Sequence, residues 1–204
     1  MNYTECFLDL TSLFKDLESY RYFATKIKTP YFKLAQEFPE MYPVGRDVDI
    51  VTHSDDFENV IETVNSFCKV QEGIHRIIHD SDDHQRHRLE SPDYFMMPNA
   101  VSTDKLRNGL PTTKLHFQID VSTIDDYDYM GIGKSGIVED MEHPVFKNGV
   151  KILQDGNEAL MRCVFYAKSK SMHHRNFIYN FRDEINESYI IDKEIWHHVH
   201  TILS

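Results

Sequence analysis

The run Asp47-Val48-Asp49-Ile50-Val51 constrains this chain more than any other stretch. Its period of two is that of a half-buried strand, so Val48 and Ile50 face one way while Asp47 and Asp49 face the other. Acidic side chains one pleat apart on one face stand roughly 6–7 Å apart. That spacing lets both reach one or two hard cations, which take oxygen ligands and keep waters that a phosphate can replace. A helix is expected directly afterwards, over 54–67. Ser54-Asp55-Asp56 opens it, and Phe57, Val60, Ile61, Val64 and Phe67 line one side.

A second alternating run, 114–122, points Leu115, Phe117, Ile119 and Val121 inward and leaves His116, Gln118 and Asp120 on the opposite face. Asp120 is thus placed to join the first two acids if the strands are neighbours. Elsewhere the periodicity predicts a helix over 5–19, a short strand over 20–26, and a turn or two of helix over 31–38. Two strands, 69–79 and 85–97, are expected around the turn Asp80-Ser81-Asp82-Asp83, then a long glycine-containing loop over 127–149. From Asp155 onward the pattern is helical, through Lys168 and again over 174–187, with Leu160, Cys163, Val164 and Ala167 as the buried stripe. The fold class expected is α+β: a small mixed sheet with helices packed on it and a helical C-terminal tail. One domain over 1–204 is expected, with a core at 20–125 and a helical part at 150–204.

Charge narrows the partners. The formal net charge is −11, which steers long nucleic acid away, because that binding depends on displacing counterions with Lys and Arg. Seven acids lie between Asp120 and Glu142, and six bases lie between Lys147 and Arg175. An acidic half against a basic half suits a metal-chelated, phosphate-bearing small molecule; ordinary surface charge is the plainer alternative. No apolar run approaches the ~18 residues of a membrane span. Met1–Glu5 does not read as a signal peptide, and Cys6, Cys68 and Cys163 read as free buried thiols, so a cytoplasmic protein is expected.

The motif and its surroundings resemble the nucleotidyltransferase superfamily, the polymerase-beta-like fold. The likeness is carried by Val44-Gly45-Arg46-Asp47-Val48-Asp49-Ile50-Val51 with the helix after it, by Gln118-Ile119-Asp120-Val121, and by Gly149-Val150-Lys151-Ile152-Leu153 leading into a helix at 156–171. The resemblance implies Mg²⁺ (or Mn²⁺) held by Asp47, Asp49 and Asp120, a nucleoside triphosphate, and an acceptor whose hydroxyl or phosphate attacks the α-phosphate with release of pyrophosphate. In that family a Gly-Ser turn before the aspartate strand supplies backbone N–H groups to the phosphates. Here Ala24-Thr25-Lys26 stands in that place, so Thr25 and Lys26, with Arg46, are the expected phosphate contacts. Lys168, Arg175 and Arg182, seven apart, would share one face of an uninterrupted helix and could add to them; a solvated helix face is the alternative.

Two other functions compete. The missing Gly-Ser turn suits an inactive nucleotidyltransferase-like domain serving as a regulatory, antitoxin-like partner. A nucleotide-sugar glycosyltransferase also uses Asp-x-Asp on metal, but there the motif follows a longer nucleotide-binding half than the residues before Asp47 provide. The histidines around the turn (His79, His84, His87) and in Trp196-His197-His198-Val199-His200 are read as non-ligating, the first set by its turn context and the second by the angle between helix neighbours.

Overall fold

A computed structural model describes residues 7–27, 38–40, 42–43, 47–90, 116–125, 131–133 and 135–204. The alternation at 47–51 forms β4 (Asp47–Thr52), in which Val48 and Ile50 are buried on one face. The chain then turns through 54–56 into α2 (Phe57–Val70). The imidazole of His53 accepts the Asp55 N–H at 3.2 Å. Arg21 holds the Asp56 carboxylate, Nε to Oδ2 at 2.7 Å, which ties the start of the helix to the chain just before Tyr22.

Two short strands, β1 (Phe7–Leu8) and β3 (Tyr42–Pro43), pair antiparallel, and β2 (Tyr22–Thr25) lies between them in sequence. Because Phe7 and Leu8 are extended, the helix expected over 5–19 is only α1 (Thr11–Asp16). The helix expected over 31–38 lies almost wholly outside the described residues. β5 (Ile74–Asp80) and β6 (His84–Glu90) form the hairpin around the acidic turn, starting later than expected because α2 runs on to Val70. β7 (His116–Thr123) is the second alternating strand.

The expected loop over 127–149 is overturned in part. It contains α3 (Ser135–Glu142), where Ile137 and Met141, four apart, are both buried. A hairpin follows, β8 (Val145–Lys147) with β9 (Val150–Ile152). Asn148 and Gly149 turn it with φ of 50° and 81°. Positive φ at both central residues is the twist a two-residue hairpin needs, and Asn-Gly adopts it at least cost.

Seven strands form one mixed sheet in the order β5-β6-β7-β4-β2-β9-β8, parallel at β4–β7 and β2–β9 and antiparallel elsewhere. One face packs on α1 and α2, with Leu13, Phe14, Val60, Val64 and Phe67 against Val48, Ile50, Phe117 and Ile119. The other face carries the C-terminal helices α4 (Asp155–Ser169), α5 (Met172–Asn180) and α6 (Lys193–Leu203) against Phe23 and Val51. The fold is α+β with a helical C-terminal part. No described helix is long and apolar enough to cross a membrane.

Candidate metal and phosphate site

On β4, Asp47 and Asp49 share the face that carries Val51, as the strand period requires. Parallel pairing with β7 sets Asp49 directly beside Asp120 and Asp47 beside Gln118. The structure therefore brings all three aspartates together: one carboxylate oxygen from each lies within 4.8 Å of the others. Asp47 is exposed, Asp49 half-buried and Asp120 buried, so the cluster runs from the surface inward.

Each inner carboxylate meets a cation. Lys26 Nζ donates to Asp49 Oδ1 at 2.9 Å. Its reach comes from two local facts. Thr25 is paired with Asp49 across the antiparallel β2–β4 ladder, and Lys26 follows it in the left-handed region at φ 64°. The ammonium also sits 4.3 Å from the centre of the Phe165 ring of α4. Asp120 accepts a short hydrogen bond from Arg86 Nε, with His84 Nε2 at 3.9 Å. Arg86 lies opposite Asp120 in the β6–β7 ladder.

These surroundings split the two acids. Burial drives Asp49 up to about 6, and the charges of Asp47 and Asp120 add to the rise; the Lys26 charge and hydrogen bond oppose it. Burial also acts on Asp120, but the neighbouring His84 and Arg86, the latter through its hydrogen bond, outweigh it and hold that carboxyl below the usual range. Asp49 Oδ2 is buried and has no hydrogen-bond partner among the described residues, and neither has Thr25 Oγ1 beside it. Buried oxygens rarely go unpaired. An all-oxygen donor set with an orphaned carboxylate oxygen fits a hard divalent cation such as Mg²⁺ or Mn²⁺.

The other expected contacts divide. Arg46 lies outside the described residues. Lys168 and Arg175 are exposed, and they do not share a helix with each other or with Arg182. Lys170 takes φ 54° and ends α4, α5 starts afresh at Met172, and Arg182 lies in a separate turn at 182–184. The shared basic face is corrected accordingly: a left-handed residue re-aims the chain and the seven-residue register is lost. The sequence does not place Arg86 at the site and reads His84 as non-ligating, because only the strand order sets β6 beside β7. Their signal was the alternation His84, Arg86, Arg88 against Gln85, His87, Leu89.

No protein-family model and no curated protein matches the chain. Two solved structures from Helicobacter pylori are similar at low level. One, provisionally assigned as a nucleotidyltransferase, has 12% identity and a TM-score of 0.33, covering 95% of this chain and 91% of that one. The other, JHP933, has 12% identity and a TM-score of 0.31, covering 95% and 88%. At TM-scores this low the likeness carries no argument about activity.

Proposed function

We propose that this chain is a metal-dependent nucleotidyltransferase: an acceptor oxygen bonds to the α-phosphorus of a nucleoside triphosphate, the bond to the bridging oxygen breaks, and pyrophosphate leaves. The observation that carries the reading is the convergence of Asp47, Asp49 and Asp120 with the buried, unpartnered Oδ2 of Asp49. Asp47, Asp49 and Asp120 would hold Mg²⁺ or Mn²⁺, which supplies charge neutralisation on the phosphates. Lys26 then serves as a phosphate contact beside the carboxylates, with the Thr25 hydroxyl next to it, in place of a Gly-Ser turn. Arg86 and His84 keep Asp120 ionised, which suits a ligand better than a proton acceptor.

A specific observation favours a second reading. Lys26 and Arg86 already occupy Asp49 and Asp120, so the cluster is neutralised in part from within. A nucleotidyltransferase-like binding or regulatory domain needs no more than that. The test is pyrophosphate release from each of the four triphosphates, with Mg²⁺ or Mn²⁺ and pooled cell metabolites as acceptors. Release by the wild type and none by Asp49→Asn supports the enzyme. Silence from both supports the binding domain, and release that survives Asp49→Asn removes the proposed ligand set.

A further inference from the structure

The sheet face turned away from the aspartates carries a second group of chemistry-bearing side chains. On β6, Arg86 points to Asp120, so His87 next to it points to the opposite face, the one that carries Leu89 into the core with α2. There one ligand atom each from Cys68, His75 and His87 lies within 4.8 Å of the others. Cys68 is in the last turn of α2, His75 is on the outermost strand β5, and His87 is on β6. Three consecutive elements thus deliver two imidazoles and a thiol to one point.

As a purely structural arrangement the group is poor. His87 is fully buried; among the described residues its Nε2 has no partner and its Nδ1 meets only the Nε2 of His75, at 3.1 Å. Cys68 is buried and free. Burying two facing imidazoles and a thiol at one point costs stability that apolar side chains of like size would not. As a ligand set it is well formed. Metal–nitrogen bonds of about 2.0–2.1 Å at tetrahedral angles set two ligand nitrogens about 3.3 Å apart, close to the 3.1 Å observed between the two rings. The thiolate would need to close in by at most ~1.3 Å.

We propose that Cys68, His75 and His87 bind one borderline-soft divalent ion of the zinc type, pinning the outer hairpin β5–β6 to the end of α2. Nitrogen and sulfur donors select such an ion over Mg²⁺, which separates this site from the all-oxygen site on the other face. His75 is half-buried, and among the described residues three ligands converge, leaving a position for water, the open form of such sites. On binding, the Cys68 thiol proton leaves to solvent as the sulfur–metal bond forms. Lys69 opposes a cation here and Asp80, on the His87 side, favours one.

Cobalt(II), a spectroscopic stand-in for zinc, tests this on the full chain after chelation. One equivalent should produce a thiolate-to-cobalt charge-transfer band together with the visible bands of tetrahedral Co²⁺, and Zn²⁺ should abolish both. Cys68→Ser should lose the charge-transfer band. His75→Ala, at a half-buried position, should weaken binding by more than the roughly 10–100-fold that loss of an outer partner costs. Asp49→Asn should leave the spectrum intact, whatever its effect on the aspartate site. Zn²⁺ at a hundredfold excess over its Kd should raise Tm by roughly 5–10 °C in the wild type and not in Cys68→Ser. Absence of the charge-transfer band, or its survival in Cys68→Ser, overturns the proposal.

Discussion

Asp49 and Asp120 stand in register across the parallel ladder of β4 and β7, and each is met by a cation from the strand on its other side. Lys26 comes from the end of β2 and Arg86 from β6. The result is a short row across four neighbouring strands, β2, β4, β7 and β6, in which two adjacent acids are flanked by a cation on each side. Its inner pair differs in proton affinity: Asp49 is pushed up to about 6, and Asp120 is held below the ordinary carboxylate range.

Asp49→Asn keeps the shape of the side chain and removes the buried charge. Pyrophosphate release should fall by at least ~100-fold, the order seen when an electrostatic group of an active site is lost. Tm should stay level or rise by a few degrees, because relief of a buried like-charge cluster offsets the lost ion pair. Millimolar Mg²⁺ should raise the Tm of the wild type and not of the variant. A variant that melts well below the wild type would show that Asp49 is structural.

Lys26→Met retains the contact with Phe165 and removes the ammonium. The Lys26 charge and hydrogen bond are what restrain the rise of Asp49, so its carboxyl should titrate above about 6 in the variant. Carboxyl carbon chemical shifts followed against pH would measure it. An unmoved Asp49 would mean that solvent, and not Lys26, governs its charge.

Two buried histidines set the acid limb of stability. Burial and the nearby His75 lower His87 to about 4, and burial with the nearby charges of His173, Arg162 and Lys26 lowers His174 to about 3. Between pH ~4 and ~6.5 the unfolded chain binds these protons and the folded chain does not, so stability rises with pH there. Asp49 acts in the opposite sense over pH ~3.8 to ~6, because its folded carboxyl holds a proton that the unfolded one has released. Two protons against one leave a net rise on the order of 1 kcal/mol per pH unit. Urea melts of the chelated, metal-free protein at pH 4.5 to 6.5 would show it, and His174→Phe should flatten the slope. A stability that is level or falling over that range would contradict the burial of both rings.

Glu158 and Arg162 form a buried ion pair one turn apart on α4, with the guanidinium stacked 4.1 Å from the centre of the Phe177 ring. Glu158→Leu alone strands a buried cation and should cost about 3–5 kcal/mol. The double variant Glu158→Leu/Arg162→Met removes both charges and should cost far less, or stabilise. Chemical denaturation of the three proteins measures the difference. Equal losses in the single and double variants would show that packing against Phe177, not charge, is what the pair supplies.

Much of the framework was legible in the residues alone. The two-residue period of 47–51 and of the run ending near Asp120 assigned faces correctly, since alternation is a property of the extended backbone itself. The apolar spacing of α2 and of the first part of α4 likewise identified their buried sides. Reading failed where two local tendencies competed. Phe7 and Leu8 suit a helix face, yet they pair with Tyr42 and Pro43. The glycines around α3 suggest a loop, although Ile137 and Met141 carry a helical spacing, and Asn148-Gly149 is itself a hairpin-turn signal.

By itself the sequence determined which side chains could act together: three aspartates, each on the polar face of a strand. Only the tertiary structure decided which of them meet, and what else meets them. Strand order and register are set by burial summed over the whole sheet, not by any local run, so no spacing announces that Asp49 lies beside Asp120 or that Arg86 lies opposite it. The same holds on the far face, where Cys68, His75 and His87 read as unrelated residues until the hairpin folds against α2. Proton affinities follow last, because they depend on burial and neighbouring charge, and neither exists until the chain has closed.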